Sequence, residues 1–311
     1  MEYTKRQTST EIKMKTSSLT IGIVGLGQLG ASIAAGLKGQ VKRILGFDLN
    51  PEHVNFCINS YFIDSYVNLD EISTRSDIVI VATPVNHISS IVSKLLNRSK
   101  KELVVFDVGS TKEQICNELS DHSKRKQYVA THPMAGNTGQ GPSSASKILF
   151  RDKVVYICDE HESSHQAIDV VVKIWNSLGA GVRFISSKEH DHTVAFTSHL
   201  PQLVSYAMAN SAACPETYND AFSCASSGFD STTRLAKSSP SMWIPIVMQN
   251  QKNILSAINE MQHQLKQIET AIRRNDEEAL KLLFESANQV RKIFESINQN
   301  SKTKSHEMQR F

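Results

Sequence analysis

The sequence contains no CxxC pair and no even set of cysteines that would indicate a disulfide framework. Its cysteines number five and are scattered along 311 residues, as Cys57, Cys116, Cys158, Cys214 and Cys224. Single cysteines at irregular spacing favour reduced thiols in the cytosol over a secreted, disulfide-bonded protein, and they form no cluster that would bind a metal. We therefore predict a cytoplasmic protein.

No apolar run is long enough to cross a membrane, which takes about 20 predominantly apolar residues. The most apolar window, residues 21–39, is interrupted by glycines and by Gln28, Ser32 and Lys38. The first 20 residues are polar with mixed charge and lack the apolar segment of a secretory signal. We expect no membrane association, and we interpret residues 1–18 as a flexible tail.

The sequence also lacks a large excess of positive charge. Lys and Arg number 34 against 31 Asp and Glu, and the net charge of +3 is too small and too dispersed for nucleic-acid binding. Hydrophobic residues at 40% and charged residues at 21% are typical of globular proteins and exclude a wholly disordered or coiled-coil chain. At roughly 100 to 200 residues per domain, the length predicts two domains.

Between residues 19 and 186, short β-branched runs alternate with amphipathic stretches, which is the pattern of a parallel sheet covered by helices. The predicted strands are 20–24, 43–47, 78–81, 103–106, 128–130, 154–157 and 182–185. The predicted crossover helices are 28–38, 51–58, 85–96, 112–119 and 163–178. The pattern predicts an α/β domain, residues 19–186, with a doubly wound parallel sheet of the Rossmann type.

After residue 186 the strand signal stops, so we predict an all-α second domain at residues 187–297 and a polar tail at 298–311. Two apolar stripes there have helical spacing. They are Ile254, Ile258, Met261, Leu265, Ile268 and Ile272, then Leu280, Leu283, Ala287, Val290 and Phe294. Asn275 and Asp276 between them supply a turn and an N-cap. We predict an antiparallel helical hairpin whose stripes are covered by the first domain or by a second copy of the chain.

A glycine-rich turn, Gly25-Leu26-Gly27-Gln28-Leu29-Gly30, follows the first predicted strand. In this context the first glycine makes the turn, the second lets the backbone approach a pyrophosphate, and the third lets the helix pack on the strand. We predict that the turn, including Gln28 and Leu29, binds a dinucleotide at the N-terminus of the following helix. The alternative is a purely structural glycine turn.

Asp48 ends the second predicted strand, where a carboxylate would bond the adenosine ribose hydroxyls and repel the 2′-phosphate of NADP. Leu49 and Asn50 supply no arginine that would neutralise such a phosphate, so the sequence favours NAD. Thr83 and Pro84 follow the strand at 78–81, at the carboxyl edge of the sheet where ligands bind in open α/β folds. We predict that they flank the nicotinamide ribose.

A histidine at another strand end suits dehydrogenase chemistry. When hydride leaves an alcohol, the hydroxyl proton must also leave, and a neutral histidine is well matched to accept it near pH 7. His132 follows the strand at 128–130 and is placed for this task, although a histidine before a proline is also a common loop residue. Further polar segments that we expect at the same edge are 107–112, which contains Ser110, and 198–202.

Two pairs of histidines invite interpretation as metal sites: His161 with His165, and His190 with His192. Neither pair has a third ligand at a suitable spacing. Proton and hydride transfer need no metal either. We therefore predict no metal site.

Five segments in unbroken order carry a resemblance to a known family. They are the glycine-rich start, the Val-Gly-Ser-Thr-Lys run at 108–112, His-Pro-Met-Ala-Gly at 132–136, Glu189-His190-Asp191 leading to Ser-His-Leu-Pro, and 228–234 followed by Pro240 and Met242-Trp243. Together they resemble the prephenate dehydrogenase family of tyrosine biosynthesis, over residues 19–295. The resemblance implies a Rossmann domain followed by a helical domain that dimerises through the C-terminal helices.

The resemblance also implies roles for individual residues. His132 would accept the proton of the ring C4 hydroxyl of prephenate, and Ser110 would hold the same hydroxyl. His199 would bind the substrate, and Arg234 would bind its side-chain carboxylate; Gln202 stands where many members have a second substrate-binding histidine. Hydride would pass to NAD+ and the ring carboxylate would leave as CO2, giving 4-hydroxyphenylpyruvate.

The sequence departs from the family pattern in three places. Asn137 and Thr138 stand where many members carry a gating glutamate. Asp230 is shifted by one position relative to the usual acid and a basic residue is missing beside it, while Gln202 leaves the choice between prephenate and arogenate open. Because the hairpin uses the chain almost to its end, we expect any feedback control by tyrosine to act at the active site.

Three alternatives therefore stay open. The chain could be an arogenate dehydrogenase, or a β-hydroxyacid-type dehydrogenase of the same two-domain plan. The latter enzymes rely on a catalytic lysine of the second domain, and Lys173 and Lys188 do not stand in such a motif. The third alternative is a nucleotide-binding regulator that kept the fold without the catalysis.

Overall fold

The computed structural model describes residues 16–99, 102–136, 139–213 and 222–308, with side chains up to residue 297. Cys214, Asn137, Thr138 and most of the N-terminal tail lie outside the described residues. The four described cysteines are unpaired: Cys57, Cys116 and Cys158 are buried, and Cys224 is exposed.

One sheet of eight strands forms the centre of the fold. The strands are β1 (Thr20–Val24), β2 (Arg43–Phe47), β3 (Ser65–Tyr66), β4 (Ile78–Val81), β5 (Val104–Asp107), β6 (Tyr128–Pro133), β7 (Val154–Cys158) and β8 (Gly181–Ile185). Their spatial order is β3-β2-β1-β4-β5-β6-β7-β8. The chain winds outward in both directions from β1 and β4, so these two strands form the switch point where open α/β sheets bind ligands.

Helices flank the sheet and continue beyond it. Those of the first part are α1 (Gln28–Leu37), α2 (Pro51–Asn59), α3 (Leu69–Arg75), α4 (Val85–Arg98), α5 (Glu113–Leu119) and α6 (His165–Ser177). Those of the second part are α7 (Ser187–Val194), α8 (Leu200–Ala212), α9 (Ser227–Thr233), α10 (Pro240–Gln249), α11 (Gln251–Arg273) and α12 (Glu277–Met308). The predicted α/β fold followed by helices is confirmed.

The core lies on both faces of the sheet because successive strand residues point to opposite sides. In β5, Val104 and Phe106 face one hydrophobic cluster and Val105 faces the other. The first cluster contains the fully buried Trp175 of α6, whose ring meets Phe106 and Phe150 edge-on at centroid distances of 5.7 Å and 5.3 Å. Each such aromatic pair adds about 0.5–1.5 kcal/mol beyond the burial of its area.

The predicted parallel direction is correct for five of the seven predicted strands and wrong for the other two, β7 and β8. The strands from β3 to β6 pair in parallel, whereas β7 runs antiparallel to β6, and β8 is parallel to β7. Parallel neighbours need a crossover, usually a helix, but the described residues between β6 and β7 form no α-helix. Part of the connection instead packs on α1, where the Ser146 N–H donates to Ser32 Oγ at 3.0 Å.

Two short elements, β3 and α3, were not predicted. β3 has only two residues, too few to show a period. α3 begins after Asn68, whose side chain accepts hydrogen bonds from the N–H groups of Asp70 and Glu71. A cap of this kind contributes about 1 kcal/mol, which is substantial for a helix of two turns.

α7 and α8 form one continuous helical path that contains a single π-helical turn at Ala195–His199. Pro201 explains the irregularity, because its nitrogen carries no hydrogen and its ring would clash with the carbonyl of Thr197 in a regular helix. The turn ends on His199, which is 1% exposed. The helix thus becomes irregular at a residue that the sequence marks as functional, as π-turns often do.

By its contacts the chain divides into a unit that ends at Gln251 and a second unit that begins at Lys252. Helices α7–α10 thus belong to the same compact unit as the sheet, whereas the boundary predicted from composition falls after residue 186. That boundary stays a prediction. Among the described residues no helix is both long enough and apolar enough to span a membrane.

The second unit contains most of α11 together with α12, joined at the predicted turn. Asn275 adopts a left-handed conformation with φ of 50°, and Asp276 Oδ1 accepts from the Ala279 N–H as an N-cap. α12 continues to Met308, into the stretch predicted as a polar tail. No described side chain of α12 is buried: of its predicted apolar stripe, Leu280 and Leu283 are half-buried, and Ala287, Val290 and Phe294 are exposed.

Candidate functional site

The glycine-rich turn has the geometry that a dinucleotide requires. Gly25 has φ of +96° and donates its N–H to the Phe47 carbonyl at 2.8 Å, and a Cβ there would lie 2.5 Å from the Ala82 oxygen. At Gly30 a Cβ would lie 1.9 Å from the Gly25 oxygen, so only glycine lets α1 pack this close to the turn. Gly27 faces open space instead, because a Cβ there would meet no atom within 4 Å.

The residues predicted to contact the two riboses of a dinucleotide lie around this turn. Asp48 accepts the Leu26 N–H on Oδ2 at 2.6 Å and the Asn50 N–H on Oδ1 at 2.8 Å, which fixes its carboxylate beside the turn. Thr83 has a buried hydroxyl oxygen with no hydrogen-bond partner among the described residues, and Pro84 is the exposed residue before α4. Open backbone, a helix N-terminus and an unsatisfied hydroxyl together suit a bound dinucleotide.

Residues 139–150 also approach the turn from the far side of α1. Gln28 Nε2 donates to the Gly139 carbonyl at 3.2 Å. Leu29, the next residue of α1, is half-buried and packs against the core cluster. Gln28 thus links the nucleotide region to the segment that follows β6.

A buried ion pair holds the loop that carries Ser110. Asp107 at the end of β5 and Lys112 are both fully buried and in direct contact through Oδ2 and Nζ. Lys112 Nζ also donates to the Thr131 carbonyl at 2.9 Å, and the Tyr128 hydroxyl donates to Asp107 Oδ1 at 2.7 Å. Burial, followed by the nearby Asp107 carboxylate, raises the pKa of Tyr128 well above its usual range, so this hydroxyl stays a donor.

Ser110 lies between two fixed points of this loop. The Gly109 N–H donates to Asp107 Oδ2 at 2.8 Å, and the Thr111 hydroxyl donates to Gln249 Oε1 at 2.6 Å. Ser110 itself is half-buried, and its hydroxyl makes no hydrogen bond with the residues that the structure describes. Its backbone is therefore set by its neighbours while its hydroxyl stays available to a ligand.

His132 lies in the last part of β6, directly after the residue that Lys112 contacts. Its Nδ1 is 2.8 Å from His190 Nε2, and His190 Nδ1 is 2.8 Å from Asp191 Oδ1. Burial lowers the pKa of His132 well below its ordinary value of 6.5, and the nearby basic groups His190, Lys112 and His199 add to the effect. His132 is thus neutral near pH 7, which is the state of a proton acceptor.

His199, at the end of the π-turn, is also buried and neutral. Asn250 Nδ2 lies 3.2 Å from its Nδ1, and the indole ring of Trp243 meets it edge-on with centroids 5.8 Å apart. Burial lowers the pKa of His199 from 6.5 to about 4. Its Nε2 is buried with no partner among the described residues, which marks it as a group that a ligand would satisfy.

The structure gives Gln202 a contact that the sequence did not predict. Its Nε2 donates to the Leu235 carbonyl at 2.6 Å, and its Oε1 faces the Ser238 hydroxyl at 3.5 Å. Both polar ends of this 2% exposed side chain are thus engaged inside the fold. Binding of substrate by Gln202 stays a prediction.

Arg234 begins a short 3-10 turn, Arg234–Lys237, and is exposed. Its guanidinium makes no hydrogen bond or ion pair with the part of the chain that the structure describes. The structure thus links the loop of Ser110, His132 and His199 through His190, Asp191 and Asn250, whereas none of the hydrogen bonds among the described residues reaches the Arg234 guanidinium.

Four further residues of the site have no role in the sequence-based prediction: Asp107 and Lys112, which lie in the predicted segment 107–112, and Gln249 and Asn250, which the sequence does not mark. A lysine usually lies at the surface, so the full burial of Lys112 is invisible in the sequence. His190 and Asp191 were recognised as part of a motif but given no role. Within the described residues, no group of three or more His, Cys, Asp or Glu side chains is arranged to hold a metal ion.

Comparisons with known proteins come from two family models and from full-length relatives. One model, described as prephenate dehydrogenase, nucleotide-binding domain, matches residues 33–184; the other, prephenate dehydrogenase, dimerization domain, matches residues 186–286. The prephenate dehydrogenase of Bacillus subtilis (strain 168) is 30% identical over 282 residues, which is 88% of this chain and 75% of that protein.

Solved structures show the same similarity. The prephenate dehydrogenase from A. aeolicus in complex with hydroxyphenyl propionate and NAD+ has a TM-score of 0.81 and 28% identity, over 89% of this chain and 99% of that one. The arogenate dehydrogenase of Synechocystis has a TM-score of 0.75 and 25% identity, over 88% of this chain and 99% of that one. The two solved structures thus share the fold of this chain and are named for two different substrates.

Proposed function

The chain belongs to the prephenate dehydrogenase family, and we propose that it oxidises and decarboxylates prephenate to 4-hydroxyphenylpyruvate with NAD+, as a step of tyrosine biosynthesis. The observation that carries the proposal is the buried, neutral His132 at the sheet edge where the nucleotide turn also lies. A base that is uncharged near pH 7 and cannot be reached freely by water suits removal of a hydroxyl proton.

NAD+ would be held by the glycine turn, with Gly27 under the pyrophosphate, Asp48 at the adenosine ribose and Thr83 at the nicotinamide ribose. When bound, the cofactor accepts the hydride from ring C4. The Asp48 carboxylate would repel the extra phosphate of NADP, and the neighbouring Leu49 is exposed and apolar.

In the proposed reaction His132 accepts the proton of the C4 hydroxyl as hydride leaves C4, and Ser110 holds the same oxygen. The ring carboxylate then leaves as CO2, and its bonding electrons complete the aromatic ring. The phenolate oxygen that results takes the proton back from His132. Prephenate and NAD+ are thereby converted to 4-hydroxyphenylpyruvate, CO2 and NADH, and the aromatic product makes the step effectively irreversible.

Two groups would bind the anionic ends of the substrate. His199 has an unsatisfied buried Nε2, which suits the ring carboxylate. Arg234 is an exposed, always charged fork that suits the side-chain carboxylate in two parallel hydrogen bonds. In this proposal His199 and Arg234 bind the substrate and take no part in the transfer of the proton or the hydride.

Arogenate is the second candidate substrate, favoured by Asp230. This exposed carboxylate lies one helical turn before Arg234 and would attract the side-chain ammonium that arogenate has and prephenate lacks. The family itself contains proteins named for each substrate. Only the relative kcat/KM of the two compounds decides between them.

The deciding experiment mixes the purified protein with NAD+ and prephenate and follows NADH absorbance together with formation of 4-hydroxyphenylpyruvate. Parallel reactions contain arogenate in place of prephenate, or NADP+ in place of NAD+. We expect the highest kcat/KM with prephenate and NAD+. Absence of NADH with both ring compounds would refute the proposal, and a higher kcat/KM with arogenate would replace it with the second candidate.

We further propose that the protein is a cytoplasmic homodimer assembled through α11 and α12. The dimerization-domain model covers residues 186–286, and large apolar side chains of α12 are exposed, including Leu282, Val290 and Ile293 at 60%, 66% and 60%. Burying such a face against a second copy removes apolar surface from water, at about 25 cal/mol per Å². Light scattering after gel filtration should give twice the monomer mass, and Val290→Asp should shift it towards the monomer.

A further inference from the structure

Asp191 lies in α7, and its carboxylate receives three N–H groups. Oδ1 accepts from the Lys112 N–H at 2.8 Å and faces His190 Nδ1 at 2.8 Å, and Oδ2 accepts from the Glu113 N–H at 2.9 Å. The two backbone donors belong to the start of α5, whose first N–H groups have no partner within the helix. A carboxylate in this position only accepts, so the proton between it and His190 must lie on His190 Nδ1.

This constraint passes from His190 to His132. When His190 carries a single proton, held on Nδ1, it presents a lone pair on Nε2, and that atom lies 2.8 Å from His132 Nδ1. His132 must then donate from Nδ1. The proton of neutral His132 is thereby kept on Nδ1, and its Nε2 is left as an acceptor.

The backbone of the same aspartate constrains the other histidine. The Asp191 carbonyl accepts a hydrogen bond from Asn250 Nδ2 at 2.7 Å, and Asn250 is 3% exposed. That bond decides which end of the amide is the NH₂ group. The second N–H of the amide points at His199 Nδ1, 3.2 Å away, so His199 accepts on Nδ1 and holds its proton on the unsatisfied Nε2.

We propose that Asp191 is a positioning residue that sets the two site histidines in opposite tautomers, His132 as an acceptor and His199 as a donor at Nε2. The proposal deepens the proposed function and rests on it for the meaning of each tautomer. An acceptor at His132 takes the hydroxyl proton. A donor at His199 binds a carboxylate, which a lone pair in the same place would repel.

The tautomers are measured directly by long-range proton–nitrogen NMR of the full-length enzyme labelled with nitrogen-15 histidine, near pH 7 and without substrate. The signals of the two residues are assigned from their loss in His132→Gln and His199→Gln. We expect His132 protonated at Nδ1 and His199 protonated at Nε2. The reverse assignment at either residue, or a doubly protonated His190, would overturn the proposal.

Variants of His190 separate tautomer control from simple packing. His190→Phe keeps an aromatic ring but removes the acceptor for His132 Nδ1, whereas the side-chain oxygen of His190→Gln restores one. We expect kcat to fall about tenfold in His190→Phe, a part of what a positioned base contributes, with KM nearly unchanged and with recovery in His190→Gln. Equal activity of the two variants would contradict the proposal.

Asp191→Asn tests the aspartate itself, because an amide presents an N–H donor where the carboxylate only accepts. We expect a mixture of His132 tautomers and a lower kcat. Asn250→Asp tests the second branch, since a carboxylate there would draw the His199 proton to Nδ1 and raise KM for the substrate. His161→Gln, at an exposed histidine, is the matched control and should behave as the unmodified protein.

The two proposals fail in different ways. If the unmodified enzyme makes no NADH from prephenate or arogenate, the proposed function is refuted, while the tautomers are still decided by NMR. If NADH forms but the tautomers are reversed, the function stands and the role of Asp191 is refuted. If Asp191→Asn does not fold, the His190 pair and the spectra of the unmodified protein decide the question.

Discussion

The Gln202 side chain donates a hydrogen bond to the backbone carbonyl of Leu235 at 2.6 Å. Its neighbours on the same face of α8 hold the same segment, because Ser205 Oγ accepts from the Ala236 N–H at 3.1 Å and the Tyr206 hydroxyl donates to the Ser238 carbonyl at 2.8 Å. All three bonds go to the backbone that directly follows Arg234. α8 therefore fixes where Arg234 stands.

Gln202→Ala should raise KM for the ring substrate severalfold with little change in kcat, since it loosens the Arg234 segment without touching the reacting atoms. Arg234→Ala removes the guanidinium itself and should raise KM further. Steady-state kinetics at saturating NAD+ measure both. Gln114→Ala, at an exposed glutamine of α5, is the control; a loss confined to kcat in Gln202→Ala would contradict the assignment.

His132→Asn should lower kcat by about 100-fold or more, the usual contribution of a positioned general base. Asparagine is similar in size and polar, so the fold and the nucleotide turn should be preserved. The measurement is kcat from NADH formation, together with the Kd for NAD+ from titration of protein fluorescence. A variant with near-normal kcat would mean that another group accepts the proton.

The acid side of the pH profile should lie below pH 6.5. The base works in its neutral form, and burial lowers the pKa of His132 below 6.5, so the neutral form persists as the pH falls through 6.5. Activity is then lost only when the pH falls through the lowered pKa. The test is kcat/KM against pH, restricted to the range in which circular dichroism shows a folded protein. If kcat/KM instead fell on the acid side with a midpoint at pH 6.5 or above, and His132→Asn abolished that fall, the predicted lowering of the His132 pKa would be wrong.

The predictable and the unpredictable parts of the site differ in how far apart their residues lie in the sequence. Gly25, Gly27 and Gly30 fall within one strand, turn and helix unit, so their spacing alone predicts the turn. The link from His132 through His190 to Asp191 depends on how β6 and α7 meet after folding, and no local pattern reports that. Lys112 is buried although lysines usually lie at the surface, because the Asp107 carboxylate at the end of β5 takes the place of water around its ammonium group.

Gln202 illustrates a further limit. Family resemblance marks the position of Gln202, but the residue type differs from the family's histidine, and an amide can reach a backbone carbonyl that the sequence does not mark. The antiparallel β7 is a similar case, because nothing in a strand's own composition states the direction of its partner. The sequence predicts which residues can form a turn, a helix or a strand, whereas hydrogen-bond partners and strand directions are decided by the folded structure.

Lys112→Met should destabilise the protein by about 3–5 kcal/mol, since it leaves the Asp107 carboxylate buried without its cation. Asp107→Asn in the same chain should restore part of the loss by removing the uncompensated charge. The free energy of unfolding in urea, compared among the two single variants and the double variant, gives the coupling. Additive losses would mean that the two side chains do not act as a pair.

Asp48→Asn should weaken the binding of NAD+ and reduce the preference for NAD+ over NADP+. The amide oxygen can accept from only one of the two N–H groups that the carboxylate bonds, those of Leu26 and Asn50, and the amide no longer repels a 2′-phosphate or offers a charged acceptor to the ribose. We expect KM for NAD+ to rise roughly tenfold, the effect of losing one charge-assisted hydrogen bond. The measurement is the ratio of kcat/KM for the two cofactors, with the exposed Asp121→Asn as control. Equal losses with both cofactors would show that Asp48 acts only by holding the glycine turn, because a residue that merely shapes the turn cannot distinguish cofactors that differ at the ribose.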